Sequence, residues 1–170
     1  LVYTSSAMVF HHDPPGPHGI DKQPTAQDDY GRYKAACEAA IRGEYPAALL
    51  ARIGWQIDPT QAGNNMLMAL DQWQLRDGHV GASRLWLPAC SFMEDTAEAL
   101  LALAERRSSG VVHLDSNADE GHSFVQVVKA LQQRFERQAW LVSEHEDYRH
   151  DQRLIGSADW MPPLSDRLPL

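Results

Sequence analysis

Apolar residues along the chain alternate between short continuous runs and longer segments in which they recur at every third or fourth position. The runs at 1–6, 47–57 and 110–115 predict strands, and 47–53 is so continuously apolar that we expect both of its faces to be covered. The three-to-four spacing predicts helices at 29–43, 63–75, 91–107 and 122–135. Strands that alternate with helices in this way are typical of an α/β fold with a parallel sheet.

Short polar signals mark where two of these helices begin. Asn64 or Asn65 precedes the apolar face at 63–75, and either side chain can cap a helix. Ser91 and Glu94 have the Ser-x-x-Glu spacing of a capping box ahead of an apolar run. Asp95 then falls in the first turn, where a negative charge complements the helix dipole.

The composition restricts the class of protein. The chain has 170 residues, of which 44% are hydrophobic and 22% are charged, as in an ordinary soluble domain. A formal net charge of −8 argues against nucleic acid and anionic membranes as partners. No apolar run reaches the length of a membrane-spanning helix, and no signal peptide is recognisable. We therefore expect a cytoplasmic protein.

Cysteine and histidine usage indicates neither a disulfide framework nor a metal site. The two cysteines are too few for a disulfide framework. His11, His12 and His18 lie in a loop predicted over 11–29, and no cysteine pairs complete the ligand set that zinc requires. We expect these histidines to be solvated and expect no metal site.

Tyr30 and Lys34 are the first candidates for chemistry. On a helix, side chains four residues apart lie on one face, one turn from each other. A phenol titrates at about 10 in water, and a neighbouring ammonium favours the phenolate, so such a pair suits reversible proton transfer beside a carbonyl. The pattern is short, and two side chains on the solvated face of a helix are the plain alternative.

Hydroxyl side chains end the first predicted strand. Thr4, Ser5 and Ser6 lie at its C-terminal end, and ligands of open α/β sheets bind beyond the C-terminal ends of the strands. A hydroxyl at this place can donate a hydrogen bond to a substrate carbonyl. The alternative is that these hydroxyls only cap or turn the chain.

Three segments carry motifs that are informative as a set. They are Ser-Ser-Ala-Met-Val-Phe at 5–10, Tyr-Gly-Arg-Tyr-Lys at 30–34 followed by Glu38, and Arg-Ile-Gly-Trp at 52–55. Together they resemble the extended short-chain dehydrogenase/reductases typified by dTDP-4-dehydrorhamnose reductase. In that family the segments read roughly Ser-Thr-Asp-Tyr-Val-Phe, Tyr-Gly-x-x-Lys-x-x-x-Glu and Arg-x-x-Trp. The resemblance covers most of the chain and is loosest near the C-terminus.

The resemblance implies a fold and an activity. The expected fold is the C-terminal part of a Rossmann-type α/β fold, with parallel strands, covering helices and a small substrate-binding lobe. The expected activity is reduction of the keto group of a nucleotide-linked sugar with NADP or NAD as cofactor. In this scheme Tyr30 is the proton donor, Lys34 lowers its pKa and holds the nicotinamide ribose, and Ser6 donates a hydrogen bond to the carbonyl.

The same resemblance implies binding residues. The expected cofactor contacts are Thr4, Ser5, Tyr30 and Lys34, and the expected substrate contacts are Ser6, Tyr30 and Trp55. Trp55 has an equally simple alternative, a place in the hydrophobic core.

The beginning of the chain leads to an expectation about its completeness. Leu1 already lies in a predicted strand, and no Gly-x-Gly-x-x-Gly follows any strand, whereas in the family such a cofactor site precedes the hydroxyl strand. We expect the C-terminal part of a longer enzyme, inactive alone. Residues 1–60 are expected to end the Rossmann domain, and 61–170 to form the substrate-binding lobe and a C-terminal arm interleaved with it. A homodimer is a further expectation, because extended reductases often dimerise.

Ala7 and Met8 depart from the family pattern, which has Asp and Tyr at these places. An apolar pair cannot supply their hydrogen bonds, so the substrate could be another small ketone or aldehyde. Three other interpretations stay open. They are a non-catalytic relative that binds a sugar nucleotide or cofactor or acts as a regulatory subunit, an NAD-dependent sugar epimerase or dehydratase, and a stand-alone α/β domain without a redox role.

Overall fold

Strands and helices alternate along the chain. The computed structural model describes residues 1–60, 63–156 and 160–170. Helices α1–α4 are Asp29–Glu44, Met66–Asp77, Met93–Glu105 and Phe124–Arg134. Strands β1–β11 are Val2–Ser6, His18–Gly19, Leu49–Ile53, Trp55–Ile57, Val80–Ser83, Trp86–Leu87, Cys90–Phe92, Gly110–Leu114, Val142–His145, His150–Asp151 and Leu154–Ile155. Short 3₁₀ helices cover Ala7–Val9 and Leu164–Asp166.

Three parallel strands form the sheet that positions the site, in the order β1-β3-β8. Leu49 and Ala51 of β3 pack on one face, in a cluster that contains Leu103 of α3. Arg52 lies on the other face, where it reaches α1. The predicted α/β class with parallel strands is therefore confirmed, and so is the expectation that 47–53 is covered on both sides.

The predicted single strand at 47–57 is two strands. Gly54 separates β3, in the three-stranded sheet, from β4, which pairs in parallel with β7. A Cβ at Gly54 would lie 2.7 Å from the amide nitrogen of Cys90 and closer still to the carbonyl of Ala89. Only glycine lets the chain pass this close to the neighbouring backbone as it changes sheets.

A second and larger core joins the remaining elements. It contains Leu70 of α2, Val80 of β5, and Phe124 and Leu131 of α4, all of them fully buried. The two-stranded parallel pairs β4–β7 and β5–β9 lie against these helices. The C-terminal tail at 160–170 adds Leu164 to this core and therefore packs along the domain.

The helix boundaries confirm one predicted cap and correct another. Asn65 caps α2, because its side chain accepts the amide of the third helical residue at 3.2 Å. The predicted capping box at Ser91 is wrong: Ser91 lies in β7, and its hydroxyl accepts the amide of Ser116 at 3.0 Å. The capping box that forms is Ser123 with Gln126, at the start of α4. Spacing alone does not distinguish a cap from the last residues of a strand.

Asp95 lies in the first turn of α3, as predicted, and it has a second interaction besides the one with the helix dipole. It is 6% exposed and accepts a hydrogen bond from Arg167 of the C-terminal tail. The carboxylate therefore also ties the tail to α3.

None of the helices within the described ranges is long and apolar enough to cross a bilayer. Within the same ranges, no group of three or more His, Cys, Asp or Glu side chains is arranged to hold a metal ion.

The expectation of solvated loop histidines is wrong for His18. This residue is 1% exposed, lies in β2 and stacks on Phe10 with ring centroids 4.2 Å apart. His113 and His150 are buried as well. Burial lowers the pKa of all three histidines to about 4, because it penalises the charged imidazolium. The β2–β11 pair, which sequence periodicity did not reveal, places His18 inside the fold.

Acid is expected to destabilise the chain through these histidines. Unfolded histidines titrate near 6.5, so the unfolded chain binds more protons than the folded one between about pH 6.5 and pH 4. The stability present above pH 6.5 is lost as the pH falls through this window, by up to about 1.4 kcal/mol per pH unit for each histidine. Burial raises the pKa of Asp115 to about 7. Protonation of this one carboxyl therefore stabilises the folded chain as the pH falls, opposite to the effect of the histidines.

The check is the urea unfolding midpoint, which we expect to be clearly lower at about pH 5 than at about pH 7. Replacing His113 with Gln should reduce this pH dependence, whereas His79→Gln, at an exposed position, should leave it unchanged. An unfolding midpoint that does not vary with pH would contradict the role given to the buried histidines.

Candidate active site

A cavity of about 540 Å³ opens beyond the C-terminal ends of β1 and β3. We call it the strand-end cavity. Its lining includes every residue that the sequence indicated for the site: Thr4, Ser5, Ser6, Tyr30, Lys34 and Trp55. This is where ligands of open parallel sheets bind. The structure therefore brings together side chains from three separate segments of the chain.

The first turns of α1 present Tyr30 and Lys34 to this cavity. Asp28 caps the helix by accepting the amide of Gly31 at 2.8 Å, which fixes where the helix begins. The Lys34 ammonium donates to the carbonyl oxygen of Thr4 at 3.1 Å and lies 5.8 Å from the Tyr30 ring centroid. Tyr30 is 53% exposed, so its phenol lies on the open side of the cavity.

The hydroxyl of Ser6 caps the short 3₁₀ helix that follows β1. Its oxygen accepts the amide of Met8 at 3.1 Å. This bond uses a lone pair of the oxygen and not its hydrogen, so a capping Ser6 still has its O–H to donate. Thr4 is exposed, while Ser5, near the end of the outer strand β1, is only 2% exposed.

Gly31 lets α1 approach the end of β1. A Cβ at this position would lie 2.6 Å from the Cβ of Ala26 and closer still to the carbonyl oxygen of Met8. Any larger residue would push the first turn of α1 away from the 3₁₀ helix. The glycine therefore sets the separation between Tyr30 and Ser6.

Replacing Gly31 with Ala is expected to displace Tyr30 and to overpack this contact, at a cost of about 1–3 kcal/mol in the free energy of unfolding. Gly43→Ala is the matched control on the same helix, because nothing lies within 4 Å of a Cβ there. That variant should be neutral or stabilised by about 0.5–1 kcal/mol. Urea unfolding of both variants measures the difference, and equal stabilities would refute the steric argument.

A buried ion pair fastens α1 to the sheet. Arg52 donates to both carboxylate oxygens of Glu38, at 2.9 and 2.7 Å, and each residue is 2% exposed. Burial raises the pKa of Glu38, but the hydrogen bonds and the positive charge of Arg52, together with Ser5 and Arg42, outweigh it, so the pKa lies below its usual value. Arg52 also lies over the Phe10 ring, 5.0 Å from its centroid. Glu38 follows Lys34 by one turn, so the pair holds the helix that carries both site residues.

Three indole rings form one wall of the cavity. The rings of Trp55 and Trp86 are 6.3 Å apart at 24°, and that of Trp73 lies 6.0 Å from Trp55. All three line the cavity and also pack against the larger core. Trp55 therefore packs against the core and also faces the cavity, while its contact with the substrate stays a prediction. Trp73 lies on the packing face predicted for α2, and it also faces the cavity.

Gln152 is a site residue that sequence reasoning missed. Its amide nitrogen lies 3.2 Å from the sulfur of Met8, and its oxygen accepts from the Trp86 indole nitrogen at 3.4 Å. It belongs to the C-terminal segment, which has no clear periodicity. No pattern in the sequence identifies Gln152, because one isolated glutamine in a loop looks like any other polar surface residue.

Parallel strands, covering helices and a cavity at the strand ends define an α/β protein of Rossmann type. The RmlD substrate binding domain family matches residues 1–147, and the chain belongs to that family. No curated protein matches the chain.

Solved structures share this fold at low identity. The dTDP-4-dehydrorhamnose reductase from Bacillus anthracis, in complex with NADP, is 16% identical with a TM-score of 0.77, over 97% of this chain and 62% of that one. The dTDP-4-dehydrorhamnose reductase from Yersinia enterocolitica is 16% identical with a TM-score of 0.71, over 91% and 56%. The dTDP-glucose 4,6-dehydratase from Bacillus anthracis, in complex with NAD, is 15% identical with a TM-score of 0.66, over 93% and 52%. The chain thus spans between half and two thirds of the length of these structures.

Proposed function

We propose that this chain provides the proton-donating and substrate-binding part of an NAD(P)H-dependent reductase that acts on the keto group of a nucleotide-linked sugar. The observation that supports this most is the strand-end cavity, which gathers Ser6, Tyr30, Lys34 and Trp55. Membership of the RmlD substrate binding domain family supports the substrate class.

Each of these side chains has a proposed task. The Tyr30 phenol gives its proton to the alkoxide that forms from the carbonyl, and the Ser6 hydroxyl stabilises the same oxygen with a hydrogen bond. The Lys34 ammonium stabilises the phenolate that remains. Trp55 contributes an indole surface for the substrate ring.

The residues fit a nicotinamide cofactor, which when bound supplies the hydride to the carbonyl carbon. Thr4 and Lys34 line the strand-end cavity at the C-terminal end of β1, where ligands of parallel sheets bind. The Lys34 ammonium spends one of its three N–H donors on Thr4 and keeps the others for a ribose hydroxyl. Ser5 is buried, so we propose that it contributes through its backbone.

We further propose that the chain consists of two parts with different roles, as the sequence predicted. Residues 1–60 contain Ser6, Tyr30, Lys34 and the strands that position them. Residues 61–170 supply Trp73, Trp86 and the C-terminal arm.

A sugar epimerase or dehydratase is the second candidate, because structures of both kinds share the fold. They include a UDP-N-acetylglucosamine 4-epimerase from Bacillus cereus, 16% identical with a TM-score of 0.64 over 88% of this chain and 54% of that one. Such enzymes return the hydride to the sugar, so the nicotinamide shows no net oxidation.

Cofactor stoichiometry separates the two candidates. The whole protein that contains this chain is incubated with NADPH or NADH and a panel of 4-keto nucleotide sugars. We expect oxidation of one cofactor molecule for each carbonyl group reduced. Conversion of the sugar without net cofactor oxidation would favour the epimerase or dehydratase. Cofactor binding without conversion of any sugar would favour a non-catalytic relative.

A further inference from the structure

Most side chains that line the strand-end cavity are uncharged. Among the described residues of its lining, Lys34 alone has a charged side chain, and its ammonium already donates to the carbonyl oxygen of Thr4. Apart from the indoles, the remaining polar side chains are hydroxyls and the neutral amides of Gln56, Asn64 and Gln152. Amides both donate and accept hydrogen bonds, as sugar hydroxyls do. These walls therefore suit the sugar ring of a substrate better than its charged diphosphate.

The indole wall, formed by Trp55, Trp73 and Trp86, is held in place from behind. Phe124, which is 1% exposed, lies 4.3 Å from the Trp86 ring and 6.3 Å from the Trp55 ring. Aromatic rings packed on a core in this way cannot turn aside without opening a void. They present fixed apolar faces, against which the C–H face of a sugar ring can pack.

Backbone contacts on both sides fix Gln152 beside this wall. The preceding strand β10 pairs with β6, which carries Trp86, and the backbone amide of Gln152 donates to the carbonyl oxygen of Leu87 at 2.9 Å. Two residues later, the amide of Leu154 donates to the carboxylate of Asp115 at 3.0 Å. Gln152 itself is 7% exposed. Its side chain therefore starts from a fixed place and has little room to move elsewhere.

The side-chain amide of Gln152 has hydrogen-bonding capacity to spare. A glutamine amide has two N–H donors and an oxygen with two lone pairs. Its nitrogen lies 3.2 Å from the sulfur of Met8, a weak acceptor, and its oxygen accepts from the Trp86 indole nitrogen at 3.4 Å, longer than usual for N–H···O. Within the part of the chain that the structure describes, one N–H and one lone pair therefore stay available. Because the amide is buried and both bonds are weak, a ligand hydroxyl would complete its hydrogen bonding.

We propose that Gln152 determines which sugar the strand-end cavity accepts, by binding a hydroxyl on the carbon next to the keto group while the sugar ring packs on the indole wall. Met8, which Gln152 contacts, follows Ser6 by two residues, so the amide lies on the side of the cavity where Ser6 is proposed to bind the keto oxygen. The diphosphate and the nucleotide extend from the sugar out of the cavity. The inference rests on the proposed function for the substrate class and for the place of the keto group.

Substrates that differ in one hydroxyl test this selection. The whole protein is given 4-keto hexoses linked to dTDP or UDP, and the analogues that lack the hydroxyl on C3, beside the keto group. Binding is followed by tryptophan fluorescence, and turnover by oxidation of NADPH or NADH. We expect the hydroxyl compounds to be favoured about tenfold or more, in affinity and in kcat/KM, because the analogues leave the Gln152 amide without this partner. Equal affinities, a preference for the deoxy compounds, or binding of neither would overturn the proposal.

Two glutamines provide the matched variants. Gln152→Met removes the amide but keeps the length of the side chain, and it should bring the preference close to parity. Gln72→Met, at an exposed position on α2 outside the cavity, should keep the wild-type preference. Circular dichroism shows whether both are folded, and the wild-type comparison is a test that needs no variant. A preference that survives in folded Gln152→Met would overturn the role of Gln152.

The result also separates this inference from the proposed function. A binding preference for the hydroxyl compounds without cofactor oxidation would refute the reductase and leave the role of Gln152 standing. Reduction of both kinds of compound without a preference would support the reductase and overturn the inference.

Discussion

Replacing Glu38 with Ala is expected to cost about 3–5 kcal/mol in the free energy of unfolding, because it leaves Arg52 charged and uncompensated in the protein interior. Both side chains are 2% exposed and are joined by two hydrogen bonds, so little solvent is available to replace the lost carboxylate. The substitution should also disturb the candidate active site, since Glu38 lies on α1 one turn after Lys34.

An exposed ion pair of similar length is the matched control. Arg76 and Asp77 are 2.6 Å apart, but the Arg76 side chain is 70% exposed. Arg76→Ala should therefore change stability by less than about 1 kcal/mol. Chemical denaturation of both variants measures the contrast.

The double variant Glu38→Leu/Arg52→Met distinguishes an unpaired charge from lost packing. Removing both charges together should recover much of the stability, because neither partner is then left buried alone. A loss below about 1 kcal/mol in Glu38→Ala would contradict the account of this pair.

The sequence predicted the parts of the fold that depend on local pattern. The apolar run at 47–53, the helical spacing at 29–43 and the cap at Asn65 are each visible in the sequence of one segment, and each appears in the structure. More of the candidate site than of the fold could be predicted from the sequence, because the Tyr30–Lys34 spacing and the hydroxyls at the end of β1 are local patterns too. A known family pattern then indicated that these segments belong together.

The features that sequence reasoning missed are those made by contacts between distant segments. His18 is buried only because β2 pairs with β11 near the C-terminus. Gly54 interrupts a run that reads as one strand, because the backbone of Ala89 lies against it. Gln152 reaches the cavity from a segment without periodicity. Neither spacing nor composition encodes such contacts, since their partners lie tens of residues away.

Replacing Tyr30 with Phe is expected to lower kcat for carbonyl reduction by about 10²–10⁴, the usual contribution of a positioned general acid. The substitution removes only the hydroxyl, and the ring is 53% exposed, so the packing of α1 should not change. Cofactor binding should be retained, because only the contact of the Tyr30 hydroxyl is lost and the contacts of Lys34 and the end of β1 remain.

Tyr33→Phe is the matched control. Tyr33 lies three residues further along α1, is 64% exposed and does not line the strand-end cavity. The same loss of a hydroxyl should leave kcat within about twofold of the wild type, since exposed surface changes are usually near neutral. Comparable losses in both variants would indicate a general effect on the helix and not the loss of a proton donor.

The most direct test of the central claim is single-turnover reduction of a 4-keto nucleotide sugar by the whole protein, measured as cofactor oxidation in the wild type, Tyr30→Phe and Tyr33→Phe. The account predicts that the rate collapses in Tyr30→Phe alone, while cofactor binding is retained. Full activity in Tyr30→Phe would show that the proton comes from another group, and the strand-end cavity would then lose its role as the reduction site.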